Sequence, residues 1–172
     1  PATSSSTSLT AGTTNWTTKV VGTTTAWQQV RKRTLDSGRF FSPFEVDHRR
    51  NVMVLGYSVS QTLFPATDAL GKNVRMNEEE FTVIGVMAKR PSLLGGDPDA
   101  FAVIPSTTYD KSFDIPRIRG YLQRFLFMGV VAYPGVPRQQ LINEVQEVMR
   151  ARHRLKVDQE NDFDILTSDT IM

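Results

Sequence analysis

The stretch Phe81-Thr82-Val83-Ile84-Gly85-Val86 places Phe81, Val83 and Gly85 in alternation with Thr82, Ile84 and Val86. A strand shows successive side chains to opposite faces, so near-continuous apolarity of this kind predicts a strand, Glu80 to Lys89, buried on both faces. Such a strand needs cover on two sides, and the rest of the chain must provide it. Leu70-Gly71-Lys72 turns into a partner strand over Asn73 to Met76, with Asn77 and its acidic neighbours at the hairpin tip. Further strands are read at Thr17–Thr24, Asn51–Leu55 (ending at Gly56), Ala100–Ile104 (closed by Pro105), Tyr121–Tyr133 and Phe163–Leu166. The uncharged Ser/Thr-rich residues 1–18 are either a floppy end or a polar edge strand.

Helical signals fall between these strands. Thr25 suits an N-cap for a short helix through Arg31. Ser42-Pro43 followed by Glu45 is a capping box with proline at the first helical position. Tyr57 to Phe64 reads as a helix with Val59, Leu63 and Phe64 inward, stopped by Pro65, and Ser106 opens another short one. Pro137 to Leu155 has Leu141, Ile142, Val145, Val148 and Met149 at amphipathic spacing. Mixed helices and strands joined by hairpins predict an α+β fold rather than a doubly wound sheet.

Composition removes several functions. No cysteine is present, which excludes disulfide frameworks, thiolate nucleophiles and cysteine-based metal sites. His48 and His153 are the two histidines, each in a run of arginines that suits a general base poorly. The longest apolar run, Phe125 to Tyr133, is too short to cross a bilayer. Twenty basic and 18 acidic side chains nearly balance, so bulk charge nominates no polyanionic partner. Neither a P-loop nor a nucleophile elbow occurs.

The remaining candidates each have an ordinary reading. Asp158, Glu160, Asp162, Asp164 and Asp169 match the spacing of a calcium loop, but Phe163 stands where its sharp turn needs glycine. Arg150, Arg152, His153, Arg154 and Lys156 end the long helix, where cations complement the dipole and cap free carbonyls. Arg31-Lys32-Arg33 and His48-Arg49-Arg50 read as solvated clusters. Trp16, Trp27, Phe40, Phe41 and Phe64 would either line a ligand cleft or fill the core. Pro91 to Asp99 is a loop in which Leu93 and Leu94 stand beside Gly95-Gly96. These two leucines either fold back onto the core or form a small apolar contact for a partner or substrate.

Several pieces recur in one order: Gly38-Arg39-Phe40-Phe41, Val52-Met53-Val54-Leu55-Gly56, Leu63-Phe64, Asp68-Ala69-Leu70-Gly71-Lys72, and Phe81 through Val86. Ala102-Val103-Ile104-Pro105, the helix Val145 to Leu155 and Asp162-Phe163-Asp164-Ile165 continue the series. Together they resemble the periplasmic core domain of MacB-like and FtsX-like ABC transporter permeases. Within this pattern Gly56, Gly71 and Gly85 allow turns or close backbone approach and maintain the fold.

The resemblance implies two subdomains. A split α/β porter-like part would comprise residues 1–43 and 114–172, its first strand and helix missing; a mostly-β sabre-like insertion would comprise 44–113. It implies a non-enzymatic, cofactor-free domain at the periplasmic face of the bacterial inner membrane, carried by an integral membrane protein. That domain would relay ATP-driven movement to a periplasmic adaptor or an exported substrate, with ATP hydrolysed in a separate nucleotide-binding domain or subunit. The implied partners are the adaptor, a TolC-like outer-membrane duct and a second permease copy, with no nucleic acid. A small ligand- or glycan-binding extracytoplasmic module is the alternative reading.

Overall fold

The computed structural model describes residues 1–92, 95–115, 117–118, 121–122 and 126–167. The chain divides into two compact units, Pro1–Gly129 and Val130–Met172. The first unit carries β1 (Ala2–Ala11), β2 (Thr14–Thr23), α1 (Trp27–Val30), β3 (Leu35–Gly38) and α2 (Pro43–Asp47). These are followed by β4 (Val52–Leu55), α3 (Tyr57–Leu63), β5 (Asn73–Met76), β6 (Glu79–Met87), β7 (Phe101–Pro105) and α4 (Ser106–Ser112). A small hairpin, β8 (Arg117–Ile118) with β9 (Tyr121–Leu122), completes it. The expected α+β mixture is present.

The sheet runs β3-β6-β4-β7-β2-β1-β5, and β5 pairs again with β6. Six strands, β6-β4-β7-β2-β1-β5, therefore form a ring whose hydrogen bonding returns to its start. Closure removes the exposed edges that an open sheet must protect. Strands from residues 1–43 and strands from residues 44–113 share this one sheet. The pairings β2–β7 and β4–β6 are parallel and the others antiparallel.

Alternation along the strands sorts two cores. Leu9, Val20, Met53, Leu55, Val74, Phe81, Val83, Ala102 and Ile104 face one cluster, capped by Val59 and Leu63 of α3 and Tyr109 of α4. Val54, Met87 and Val103 face the other with Phe41, joined by the partly buried Trp27, Phe40, Ile84 and Phe101. Strand β6 serves both, as the sequence requires, but its phase shifts on the way. Met53 pairs with Val83 and Val54 with Gly85, so Ile84 is the extra residue of a β-bulge. The bulge turns Val86 back toward the first core while Ile84 and Met87 face the second. Thr82, at the end paired with β5, is exposed, so double burial covers only part of the strand.

Two glycines are fixed by close approach. A Cβ on Gly56 would lie 2.1 Å from the Asp99 carbonyl oxygen, and one on Gly85 would lie 2.4 Å from that of Arg39. Both contacts are with backbone, which cannot swing aside as a side chain would.

In the second unit α5 (Arg138–His153) matches the predicted amphipathic helix. Its apolar stripe is only half-buried, and Val148 is exposed. The left-handed Arg154 ends it, while the Arg150 guanidinium donates to the carbonyls of Lys156 and Val157 and to Asn161 Oδ1. The expected capping of the helix's own carbonyls is thus replaced by ties to the segment that follows the helix. The long strand expected over 121–133 does not form across the described residues. Tyr121–Leu122 belongs to the hairpin, Phe127 makes an isolated bridge to Ala2, and 128–133 carry no ladder. Nor is there a strand at 163–166. β-propensity yields a strand only where a partner edge is available, and beyond the hairpin and the Phe127 bridge neither segment has a ladder among its described residues.

Candidate functional site: a cleft beside a latched loop

The parallel register of β2 and β7 sets Lys19 opposite Phe101 and Val21 opposite Val103. On this face α1 lays Trp27 across the sheet, its ring 5.8 Å from Phe101 and stacked at 6.2 Å on Phe40. The result is a cleft of about 470 Å³ lined by Lys19, Val21, Trp27, Arg31, Arg33, Arg90, Phe101 and Phe127, among others. Its floor is aromatic and its rim basic.

One wall is the loop between β6 and β7. The Asp99 carboxylate ties its two ends together: Oδ2 accepts from the Arg90 backbone N–H at 2.7 Å, and Oδ1 accepts from Arg33 Nη2 at 2.7 Å. Arg33 and Asp99 leave only 6% and 2% of their side chains exposed. The Arg33 guanidinium also lies 4.7 Å above the centre of the Phe101 ring, a cation–π contact. Asp97 Oδ1 accepts from the Asp99 N–H, and Ser92 Oγ donates to Gly96 O, so both shoulders of the loop hold themselves. Arg90 Nη2 donates to the carbonyls of Arg31 and Lys32, joining the loop to the chain after α1.

On the other side of Phe40 the capping box of α2 forms as predicted. Glu45 accepts from the Ser42 N–H at 2.8 Å and pairs bidentately with Arg39, both contacts 2.8 Å. Hydrogen bonds from Arg39 and then Ser42 outweigh burial and lower the Glu45 pKa to about 2.

The sequence candidates are now placed. Trp27 lines the cleft and Phe40 backs it, whereas Phe41 is buried in the second core. Phe64 packs partly buried against the first core, and Trp16 is exposed on β2. Arg33 departs from the solvated reading of its cluster because Asp99, 66 residues away, takes it into the interior. Phe101, Phe127, Lys19 and Arg90 were not singled out by the sequence, since each looks ordinary among its neighbours and only long-range pairing assembles them. Among the described residues no group of His, Cys, Asp or Glu is arranged to hold a metal. Asp162 instead pairs with His153 at 2.7 Å, and Asp169 lies outside the described residues. Leu93 and Leu94 also lie outside them, between the described shoulders of the latched loop.

Comparison with known proteins gives concordant matches. The model of the MacB-like periplasmic core domain family matches residues 1–148. A macrolide export ATP-binding/permease protein MacB of Bdellovibrio bacteriovorus is 31% identical over 157 residues, 86% of this chain and 22% of the relative. The protein of the same name from an Azoarcus species is 34% identical over 155 residues, 89% of this chain and 23% of the relative. The chain thus spans under a quarter of the curated relatives it matches. Among solved structures, the periplasmic region of MacB from Actinobacillus actinomycetemcomitans superposes with a TM-score of 0.75 at 27% identity, covering 99% of this chain and 72% of that one. The extracellular domain of the transporter YknZ from Gram-positive bacteria shares the fold, with a TM-score of 0.65 at 17% identity over 90% of this chain and 75% of that one.

Proposed function

The chain belongs to the MacB-like periplasmic core domain family, and we propose that it relays ATP-driven movement of membrane helices to a periplasmic adaptor or an exported substrate. The single observation that carries this reading is the family match over residues 1–148. Among the described residues no helix is long and apolar enough to cross a membrane, so the reading places the helices and the ATPase in other parts of the transporter. In this reading the domain stands at the periplasmic face of the inner membrane and performs no chemistry of its own. Its partners are an adaptor, a TolC-like duct and a second permease copy.

The ring of strands suits such a task. Each ring strand has a neighbour on both sides, so displacement at one strand is passed to the next through hydrogen bonds and shared core. The relatives' printed name, macrolide export, suggests an exported small molecule as cargo.

The test is a full-length transporter carrying this domain, compared with the same protein lacking residues 1–172. The expected result is retained ATP hydrolysis with export abolished and adaptor co-purification lost. Export at the intact level after deletion would overturn the relay reading.

A further inference from the structure

We propose that the cleft formed by α1, β2, β7 and the residues Arg90, Asp97 and Pro98 is a binding site for a small organic anion with an aromatic body. The inference goes beyond the relay reading and does not rest on it, because the lining residues all belong to the first compact unit.

Charge selects the sign of the ligand. Arg33 is neutralised by Asp99 beneath the surface. Lys19, Arg31 and Arg90 then stand against Asp97 alone, which leaves two positive charges uncompensated around the opening. Arg90 spends one nitrogen on the Arg31 and Lys32 carbonyls. The Lys19 and Arg31 side chains are exposed and have no ion-pair or hydrogen-bond partner among the described residues. Asp97 is exposed at the rim, with Oδ1 accepting from the Asp99 N–H.

The floor selects the ligand's body. Trp27, Phe101 and Phe127 offer ring surface and Val21 adds to the lining, and Phe127 is 60% exposed. A flat aromatic body stacks on such a floor while its acidic group reaches the cations at the rim. A cleft of about 470 Å³ lies within the span of sites that hold small organic ligands, roughly 300–1,000 Å³. The Asp99 latch fixes the loop wall, so the cleft exists before a ligand arrives and little ordering is needed on binding.

The test uses 2-naphthoate as the probe, titrated calorimetrically into the 172-residue chain at low salt, with naphthylmethylammonium and 2-naphthamide as controls. The expected result is saturable one-to-one binding of the carboxylate, with both controls at least about tenfold weaker, the value of two screened surface ion pairs. Replacing Lys19→Gln and Arg31→Gln together is expected to remove that advantage while leaving naphthamide binding as it was. Both positions are exposed, so a melting curve checks that the variant remains folded. Equal binding of the three probes to the unaltered chain, or no binding at millimolar concentration, overturns the proposal. So does a folded double variant that still prefers the carboxylate.

Discussion

Removing Asp99 strands a buried charge, because its carboxylate is the counterion of Arg33. Asp99→Asn keeps the shape and deletes the charge, leaving the Arg33 guanidinium, 6% exposed, without its counterion. Breaking a buried pair by removing one partner costs about 3–5 kcal/mol, because the remaining charge stays desolvated. For a chain of this size that is about 6–20 °C in Tm. Arg33→Met is expected to cost a similar amount, since Asp99 keeps only the Arg90 and Asp97–Asp99 loop contacts and Phe101 loses its cation. With both replaced, neither charge is stranded. The double variant is therefore expected to be no worse than either single one, a coupling of at least about 3 kcal/mol. Urea unfolding followed by circular dichroism measures all four corners of the cycle. Single variants within about 1 kcal/mol of the parent, or a double variant whose loss is the sum of the two, would refute the reasoning.

Three further outcomes are expected. Glu45 has a folded pKa of about 2 against an ordinary value of 4.5, so its contribution is complete above pH 4.5 and is lost as pH falls toward 2. The shift corresponds to about 3 kcal/mol, reduced to about 1–2 by solvent at the half-exposed Arg39; Glu45→Gln should flatten that limb of the stability–pH curve, and an unchanged limb would contradict it. Gly56→Ala forces a Cβ against the Asp99 carbonyl and should cost about 3 kcal/mol or more in chemical denaturation, whereas Gly12→Ala, with nothing within 4 Å, is limited to its turn strain of about 1 kcal/mol. For Leu93 and Leu94, changing both to Ser in the full-length transporter should leave melting intact and abolish adaptor co-purification; a drop in melting temperature would assign them to the core instead.

What the sequence made legible was local. The capping box needs only Ser42, Pro43 and Glu45, four residues of chain, and it formed as read. Turn chemistry marked the β5–β6 hairpin, and helical spacing marked α5. The candidate cleft was not legible, because its walls meet through the register of β2 on β7, which joins Lys19 to Phe101. Arg33 looked solvated because its flanking residues are basic and its partner lies far along the chain. The bulge at Ile84 escaped for another reason: it sits where the Arg39 backbone lies against Gly85, a long-range contact of which alternation carries no trace. Tyr121–Tyr133 shows the converse error, an apolar run with strong strand character that, across its described residues, pairs only at Tyr121–Leu122 and at the Phe127 bridge.

The closed ring also sets an order of events for a chain growing from its N-terminus. Strand β1 is made first, yet its far neighbour β5 comes only at residues 73–76, and β2 waits for β7 at residues 101–105. Until residues 73–76 have emerged the β1–β2 hairpin has no partner on its β1 side, and its β2 side stays open until β7 follows. Its composition suits that wait. Ser and Thr dominate β1, with Leu9 its single large apolar residue, so the edge that waits for β5 offers little apolar surface for another nascent chain to adhere to. The polar character of β1 thus serves the seconds of synthesis before its partners emerge as well as the folded state, and apolar substitutions in it should show first as lost yield.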